Sequence, residues 1–278
     1  MPVMPGISTL ESVFMILIFI FGFGSSTGWI LEVFFRRFIS TNNPERKWIN
    51  PGFLIGPCLP IYGFGLLALF LVSLVPDLSV QSGRTLTWKG VVAAIIIMGV
   101  LMTLIEYLAG IIFIKRLKLK LWDYSDMKGN IQGVICPQFS LIWTVLGALY
   151  YFFIQPYILK MVEWLYDNVG FIFFIGIYFG ILIVDIGYSF NIAAKIKKYA
   201  SENAIIVKYE EFKGIIIRYN EEHDIKNRFF NAFRSTLTIK EFLDEYMDKI
   251  SSVGKTLGRT AEEKIEKVKD MILNDHKD

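Results

Sequence analysis

Five stretches of the chain are apolar with few charges, at about residues 12–35, 52–75, 89–114, 131–154 and 169–191, and short segments carrying charge, proline or glycine separate them. Runs of about 18 or more apolar residues mark bilayer-spanning helices, because in lipid each backbone N–H and C=O must be bonded within its own segment. The pattern predicts an all-α polytopic membrane protein with five transmembrane helices. Beyond Asn191 the pattern changes: apolar residues recur at helical spacing among charges, at Ile205, Ile206, Tyr209, Phe212 and Ile216, and again in NRFFNAF and TIKEFLDEYMDKI. The expected organisation is a transmembrane domain over 1–191 and an amphipathic helical tail over 192–278, ending in the charged helix AEEKIEKVKDMILND.

Charge position orients the spans. Of 29 Lys and Arg, 17 follow residue 190, so the tail is a different material from the rest. Among the short loops, Arg36, Arg37, Arg46 and Lys47 follow the first span and Lys115, Arg116, Lys118, Lys120 and Lys128 the third, against Arg84, Lys89 and Lys160 on the other side. The positive-inside rule then puts the N-terminus outside and the tail in the cytoplasm. The first apolar run has no basic region before it and ends at Arg36 and Arg37, so it reads as a retained helix and not a signal peptide.

An internal register repeats. Glu32 and Glu106 are each followed after sixteen residues by a tryptophan, Trp48 and Trp122; then come Asn50 and Asn130, and seven residues beyond each stands a proline, Pro57 and Pro137. This predicts two tandem helix pairs, spans 1 and 2 against spans 3 and 4, running parallel about an axis along the membrane normal. Chance recurrence of common membrane residues is the alternative. In NPGFLIGPCLPIYGFG, Asn50 reads as an N-cap with Pro51 at the first helical position. Pro57 and Pro60, placed further in, would free carbonyls that lipid cannot satisfy. Asn50, Pro51, Gly52, Pro57 and Pro60, with Asn130, Gly133 and Pro137, are therefore the expected lining of a broken-helix region inside the bundle. A plain proline kink packed around glycines is the other reading.

Three acids fall within spans: Glu32, Glu106 and Asp185. An acid at the centre of a membrane helix costs about 2.5–3.5 kcal/mol on insertion scales, so each is a candidate for a functional or a structural role. Glu32 has Arg36 at i+4, the favoured order for a helical ion pair. Glu106 has no basic residue until Lys115. Exposed N–H groups of the broken helices are one expected partner for the glutamates; a bound cation or proton is the other. Asp185 shares its span with Gly176 and Gly180, whose spacing suits close helix packing, and is expected on the same bundle-facing surface. The loop LKLWDYSDMKGN carries Trp122, Asp123, Tyr124 and Asp126, either an interfacial anchor or a docking surface for a soluble partner.

Other chemistry is excluded by what the sequence lacks. Two histidines, His223 and His276, both in the tail, make no zinc set, and no metal or cofactor is expected. Cys58 and Cys136 beside the prolines read as buried reduced thiols. The triplet GKT at 254–256 has Lys249 where a phosphate loop needs glycine, so this chain carries no ATP site of that kind. A net charge of +3 gives no reason to expect nucleic acid.

The stretches NPGFLIGPCLPIYGFG, EYLAG and LWDYSDMKGNIQGVICPQFSLIW, with NRFFNAF, resemble the ABC-transporter permease family of bacterial membrane proteins called CmpB-like, over about three quarters of the chain. Relatives read GRICLxFS after the second Asn where this chain has GVICPQFS, so Pro137 is a local departure. The resemblance implies a multi-pass protein of the bacterial plasma membrane acting as the permease subunit of an ABC-type transporter, energised by a separate ATPase on the cytoplasmic side. It supplies no substrate and no catalytic residue. With so few spans, a homodimer or a second membrane subunit is expected. A membrane-embedded enzyme acting on a lipid or lipid-linked substrate, with Glu106 and Asp123 as acid and base, and a membrane scaffold or sensor are the alternatives.

Overall fold

The computed structural model describes residues 8–40, 43–75, 88–225 and 229–252. Arg84, the GKT triplet, His276 and the charged C-terminal helix lie outside them. Helices dominate: α1 (Thr9–Phe38), α2 (Pro60–Ser73), α3 (Trp88–Ile112) continued by a π-helical turn (Phe113–Leu117), α4 (Pro137–Leu149), a second π turn (Tyr150–Ile154), α5 (Gln155–Asp167), α6 (Ile172–Glu202) after a short 3-10 turn, and α7 (Tyr209–Glu222). Residues 239–252 form α8. Two strands of two residues, β1 (Leu119–Lys120) and β2 (Val207–Lys208), pair in parallel.

Four helical stretches are long and apolar enough to cross a membrane: Thr9–Phe38, Trp88–Leu117, Pro137–Asp167 and Val169–Glu202. The second expected span differs. Its helix begins at Pro60, not near 52, and its fourteen residues rise only about 20 Å, short of a hydrocarbon core of about 30 Å. Asn50 is therefore not an N-cap, and Pro60, read as an interior breaker, occupies the first turn of α2, where its missing N–H is harmless. Residues 51–59 stay irregular because Pro57 and Pro60 cannot donate; Cys58 N–H turns back to Gly56 O (2.8 Å) and Leu59 N–H reaches across to Ser25 O on α1 (3.0 Å).

The fourth expected span also moves. Helix starts at Pro137, not 131, and runs on past 154 to Asp167. Pro156 should interrupt it, since its ring collides with the carbonyl four residues back. The π turn just before it widens the register, with Gln155 N–H bonding Tyr150 O, and the helix continues. The composition break at 191 is likewise not a break in the backbone, because α6 extends to Glu202.

The core joins α1, α2, α3, α4 and α5 through Ile16, Ile20, Leu69, Phe70, Ala94, Met98, Trp143, Ile158 and Leu165. Close packing of α1 on α2 depends on small residues: a Cβ at Gly28 would run into Tyr62, and one at Gly24 would stand 2.8 Å from Leu66 Cβ. The expected small-residue contact at Gly176 and Gly180 is not there, for nothing lies within 4 Å of either position. Asp185 is thus not on a shared packing face with them.

Two compact units divide the chain, Met1–Glu210 with Arg228–Asn231, and Glu211–Asn227 with Ala232–Asp278. In the second, Phe212 of α7 packs on Phe233 and on Tyr246 of α8, Tyr219 meets Phe242 edge-on, and Asn220 donates to Ala232 O (3.0 Å). Thr238 and Glu241 cap α8 reciprocally, each side chain bonding the other's backbone N–H.

Candidate functional site

Proline sets where α2 and α4 begin, and the turns before them bring a set of buried and half-buried polar groups together within the first unit. Glu32 of α1 accepts Arg36 Nε on Oε1 (3.0 Å) and the Tyr62 hydroxyl of α2 on Oε2 (2.9 Å). The same Arg36 donates to Glu210 (2.6 Å), where the chain leaves β2 for the tail. One guanidinium therefore lies between two carboxylates.

Glu106 of α3 is 3% exposed. Its Oε1 accepts the Tyr124 hydroxyl (3.0 Å) and its Oε2 accepts Trp143 Nε1 of α4 (3.0 Å). No Lys, Arg or His pairs with it among the described residues. The Tyr124 ring stacks on Phe139 at 4.4 Å, and the Tyr62 ring meets Trp143 edge-on at 5.6 Å. A continuous relay follows: Glu210, Arg36, Glu32, Tyr62, Trp143, Glu106, Tyr124.

Asn50 organises the first irregular turn. Its Nδ2 donates to Leu54 O (3.1 Å) and Ile55 O (2.8 Å), while its Oδ1 accepts Gly52 N–H (3.2 Å) and Trp29 Nε1 (2.8 Å). Pro51 and Gly52 are buried beside it and Pro57 is exposed. Asn130 works likewise in the second turn, donating to Ser125 O (3.1 Å) and Met127 O (2.8 Å) and accepting Gly133 N–H (2.9 Å). Gly133 sits at φ +64, a left-handed conformation suited to glycine. Pro137 opens α4.

The backbone N–H contacts expected of the glutamates belong to Asp185. Its two oxygens accept Ile55 N–H (2.9 Å) and Gly56 N–H (2.8 Å), and Ser189 adds a third bond at 3.1 Å. A Cβ at Gly56 would come within 2.9 Å of that carboxylate. The tail contributes too: Phe230 stacks on Trp29 (5.9 Å between centroids, 18° between planes), and its carbonyl lies 3.4 Å from Asn50 Nδ2.

In the loop after β1, three of the four residues read as a docking surface bond within the fold. Trp122 Nε1 donates to Val134 O (2.8 Å) and Tyr124 holds Glu106. Asp123 receives Lys120 (2.5 Å) and Lys208 (3.0 Å). Burial alone would raise Asp123, but the bonds from Lys120, Ser125 and Lys208 outweigh it and hold the acid well below the usual carboxylate range. Burial, then the charge of Glu106, pushes the Tyr124 phenol up. Asp126 is exposed. Trp48 does not copy Trp122: it is half exposed, packs on Phe34 and Phe38, and lies under Arg37.

Arg36 is the partner that sequence spacing gave Glu32. Nothing in the sequence pattern marks Trp29, Tyr62, Trp143 or Glu210, although the need of a buried Tyr or Trp for a hydrogen-bond acceptor is a signal that points to the three aromatic residues. Cys58 and Cys136 are free and buried. Among the described residues no group of three or more His, Cys, Asp or Glu is arranged to hold a metal ion. The arrangement holds two carboxylates by donors from neighbouring helices and loops, one of them with a cation at hand and one, among the described residues, without.

Residues 19–190 match the family described as "Putative ABC-transporter type IV". The match spans Glu32, Glu106 and Asp185 and ends before the tail. No curated protein and no solved structure matches the chain.

Proposed function

This chain belongs to the putative ABC-transporter type IV family, and from that premise we propose that it is the permease subunit of an ABC-type transporter, energised by a separate ATPase. In this reading α2 and the irregular turn before it together form a fifth crossing, and the two helix pairs are tandem parallel copies. The N-terminus lies outside and the tail in the cytoplasm of a bacterial plasma membrane. The copies are supported by role as well as register: Glu32 and Glu106 each bond an aromatic side chain from the next proline-started helix, and Asn50 and Asn130 each tie together the turn before it.

One observation carries the reading. Glu106 is buried without a cation, and through Trp143, Tyr62 and Glu32 it connects to an ion pair with Glu210, at the entrance to the tail. A partner acting on the cytoplasmic face thus has a route of hydrogen bonds and one edge-on ring contact, Tyr62 on Trp143, to a carboxylate inside the membrane. The permease functions as a homodimer or with a second membrane subunit.

The test is crosslinking in native membranes, mild-detergent purification and mass spectrometry of the bound proteins. A nucleotide-binding ATPase in near-equal amount is expected, lost when residues 211–278 are deleted. The Glu106→Gln variant is expected to insert and retain the ATPase while substrate-stimulated ATP hydrolysis falls to background. Repeated recovery of the intact protein without an ATPase would overturn the permease reading.

A further inference from the structure

Not every buried polar side chain finds a partner, and those of α5 and the π turn before it stand together. Neither amide atom of Gln155 has a hydrogen-bond partner among the described residues, and nor have the hydroxyls of Tyr151 and Tyr166. All three residues are buried, Gln155 and Tyr151 at 1% exposure. Spacing explains why they face inward. Tyr151, Gln155, Ile158, Val162 and Leu165 follow one another at steps of four and three, which is the core-facing stripe of a helix, and each is buried. Tyr166 adjoins the far end of that stripe.

The rest of the seam is apolar. α5 packs against α1 and the π turn against α2, with Ile16, Ile20, Leu69 and Phe70 in one core with Tyr151, Ile158 and Leu165. Among the described residues no hydrogen bond or ion pair joins α5 to α1 or α2. The opposite face of α5 carries exposed Lys160, Glu163 and Asp167, with Tyr157 and Trp164 at 67% and 46% exposure. Charges and amphipathic rings belong at the headgroup layer, and in the orientation read above that is the outer one.

Closure of this seam works against itself. A buried amide or hydroxyl without a partner costs its full desolvation, and apolar contact supplies no directional bond to hold α5 in place. Opening would give all three side chains water. A hinge is also present: the π turn Tyr150–Ile154 and Pro156, which has no N–H to return to the preceding turn, weaken the helix where α5 begins.

We infer that α5 is an outer gate, which swings at the π turn away from α1 and α2 and opens Tyr151, Gln155 and Tyr166 to the solution outside. Its role as a gate rests on the permease reading. Its opening does not, and is measured on this chain alone, without an ATPase.

The test is amide hydrogen exchange of the purified full chain in lipid nanodiscs, followed by mass spectrometry, with thermal unfolding alongside. Exchange in 157–167 reports how often α5 opens. Gln155→Leu and Tyr151→Phe each delete an unpaired group and favour the closed seam. Both should slow exchange there at least about five-fold and raise the unfolding temperature. Tyr157→Phe, on the exposed face, should change neither. Should Gln155→Leu fail to fold, Tyr151→Phe, which removes one oxygen atom, decides. Unchanged or faster exchange in Tyr151→Phe, or a lower unfolding temperature, would overturn the gate while leaving the permease reading intact. Purification without an ATPase would sink that reading and leave the exchange result standing.

Discussion

Glu32 and Glu106 stand on neighbouring arms of one relay, and they differ in burial and, above all, in the charge beside them. Glu32 has a guanidinium, 3.0 Å away and shared with Glu210; Glu106 has a phenol and an indole. A buried ion costs several kcal/mol to desolvate, and only a well-placed counter-charge returns much of that. Arg36 makes the first arm electrically self-contained. The second must either bear an unmatched charge or take up a proton. Its geometry accepts both: the indole N–H only donates, so Oε2 remains an acceptor, while a proton on Oε1 is accommodated by reversing the bond with the Tyr124 hydroxyl. One arm is built as a fixed pair and the other as a variable one.

The largest test of that contrast is Arg36→Ala, which strands Glu32 and Glu210 together. A loss of about 3–5 kcal/mol is expected, read as thermal unfolding in detergent. Adding Glu32→Gln should recover part of it; no recovery would mean that the guanidinium matters for packing alone. Asp185→Ala comes next, because Ile55 and Gly56 N–H both lose their acceptor, and about 1–3 kcal/mol should go, with faster proteolysis within residues 50–59. Glu106→Gln should cost less than about 1.5 kcal/mol, since its amide keeps an acceptor for Trp143 and a donor for Tyr124. A loss as large as that of Arg36→Ala would erase the distinction between the arms.

The smallest effect concerns pH. Asp123 has a lowered folded value, so its contribution is complete above the unfolded carboxylate value, near 4, and is lost as pH falls from there through the folded value. The gap in unfolding temperature between the parent and Asp123→Asn should be level from pH 7 to about 5 and shrink below about 4. A gap that already narrows near pH 6 would mean that some other group titrates there.

How far these features can be read from sequence depends on the kind of partner. Glu32–Arg36 is legible because helical geometry places i and i+4 together. The isolation of Glu106 is legible as an absence of nearby bases, yet its donors are not, since Trp143 lies 37 residues away and aromatic side chains are abundant throughout the chain. Asp185 bonds backbone N–H groups, which leave no side-chain signature. Asn50 misleads for a physical reason: the amide that caps a helix equally well ties an irregular turn, and only the tertiary position of Trp29 decides between them. The extension of α4 past Pro156 depends on a π turn that no residue type announces.

The first compact unit is not continuous in the chain: it closes only when residues 229–231 return to it. The amide of Asn50 and the carbonyl of Phe230 are 180 positions apart. At about 5–20 residues per second, a ribosome takes about 10–40 s to cover that distance. Throughout that interval Trp29 and the turn that it supports lack their aromatic cover. The return of Phe230, and not the rest of the tail, therefore completes this cover, and a pause in translation before Phe230 would prolong the time that the turn at Asn50 waits without it.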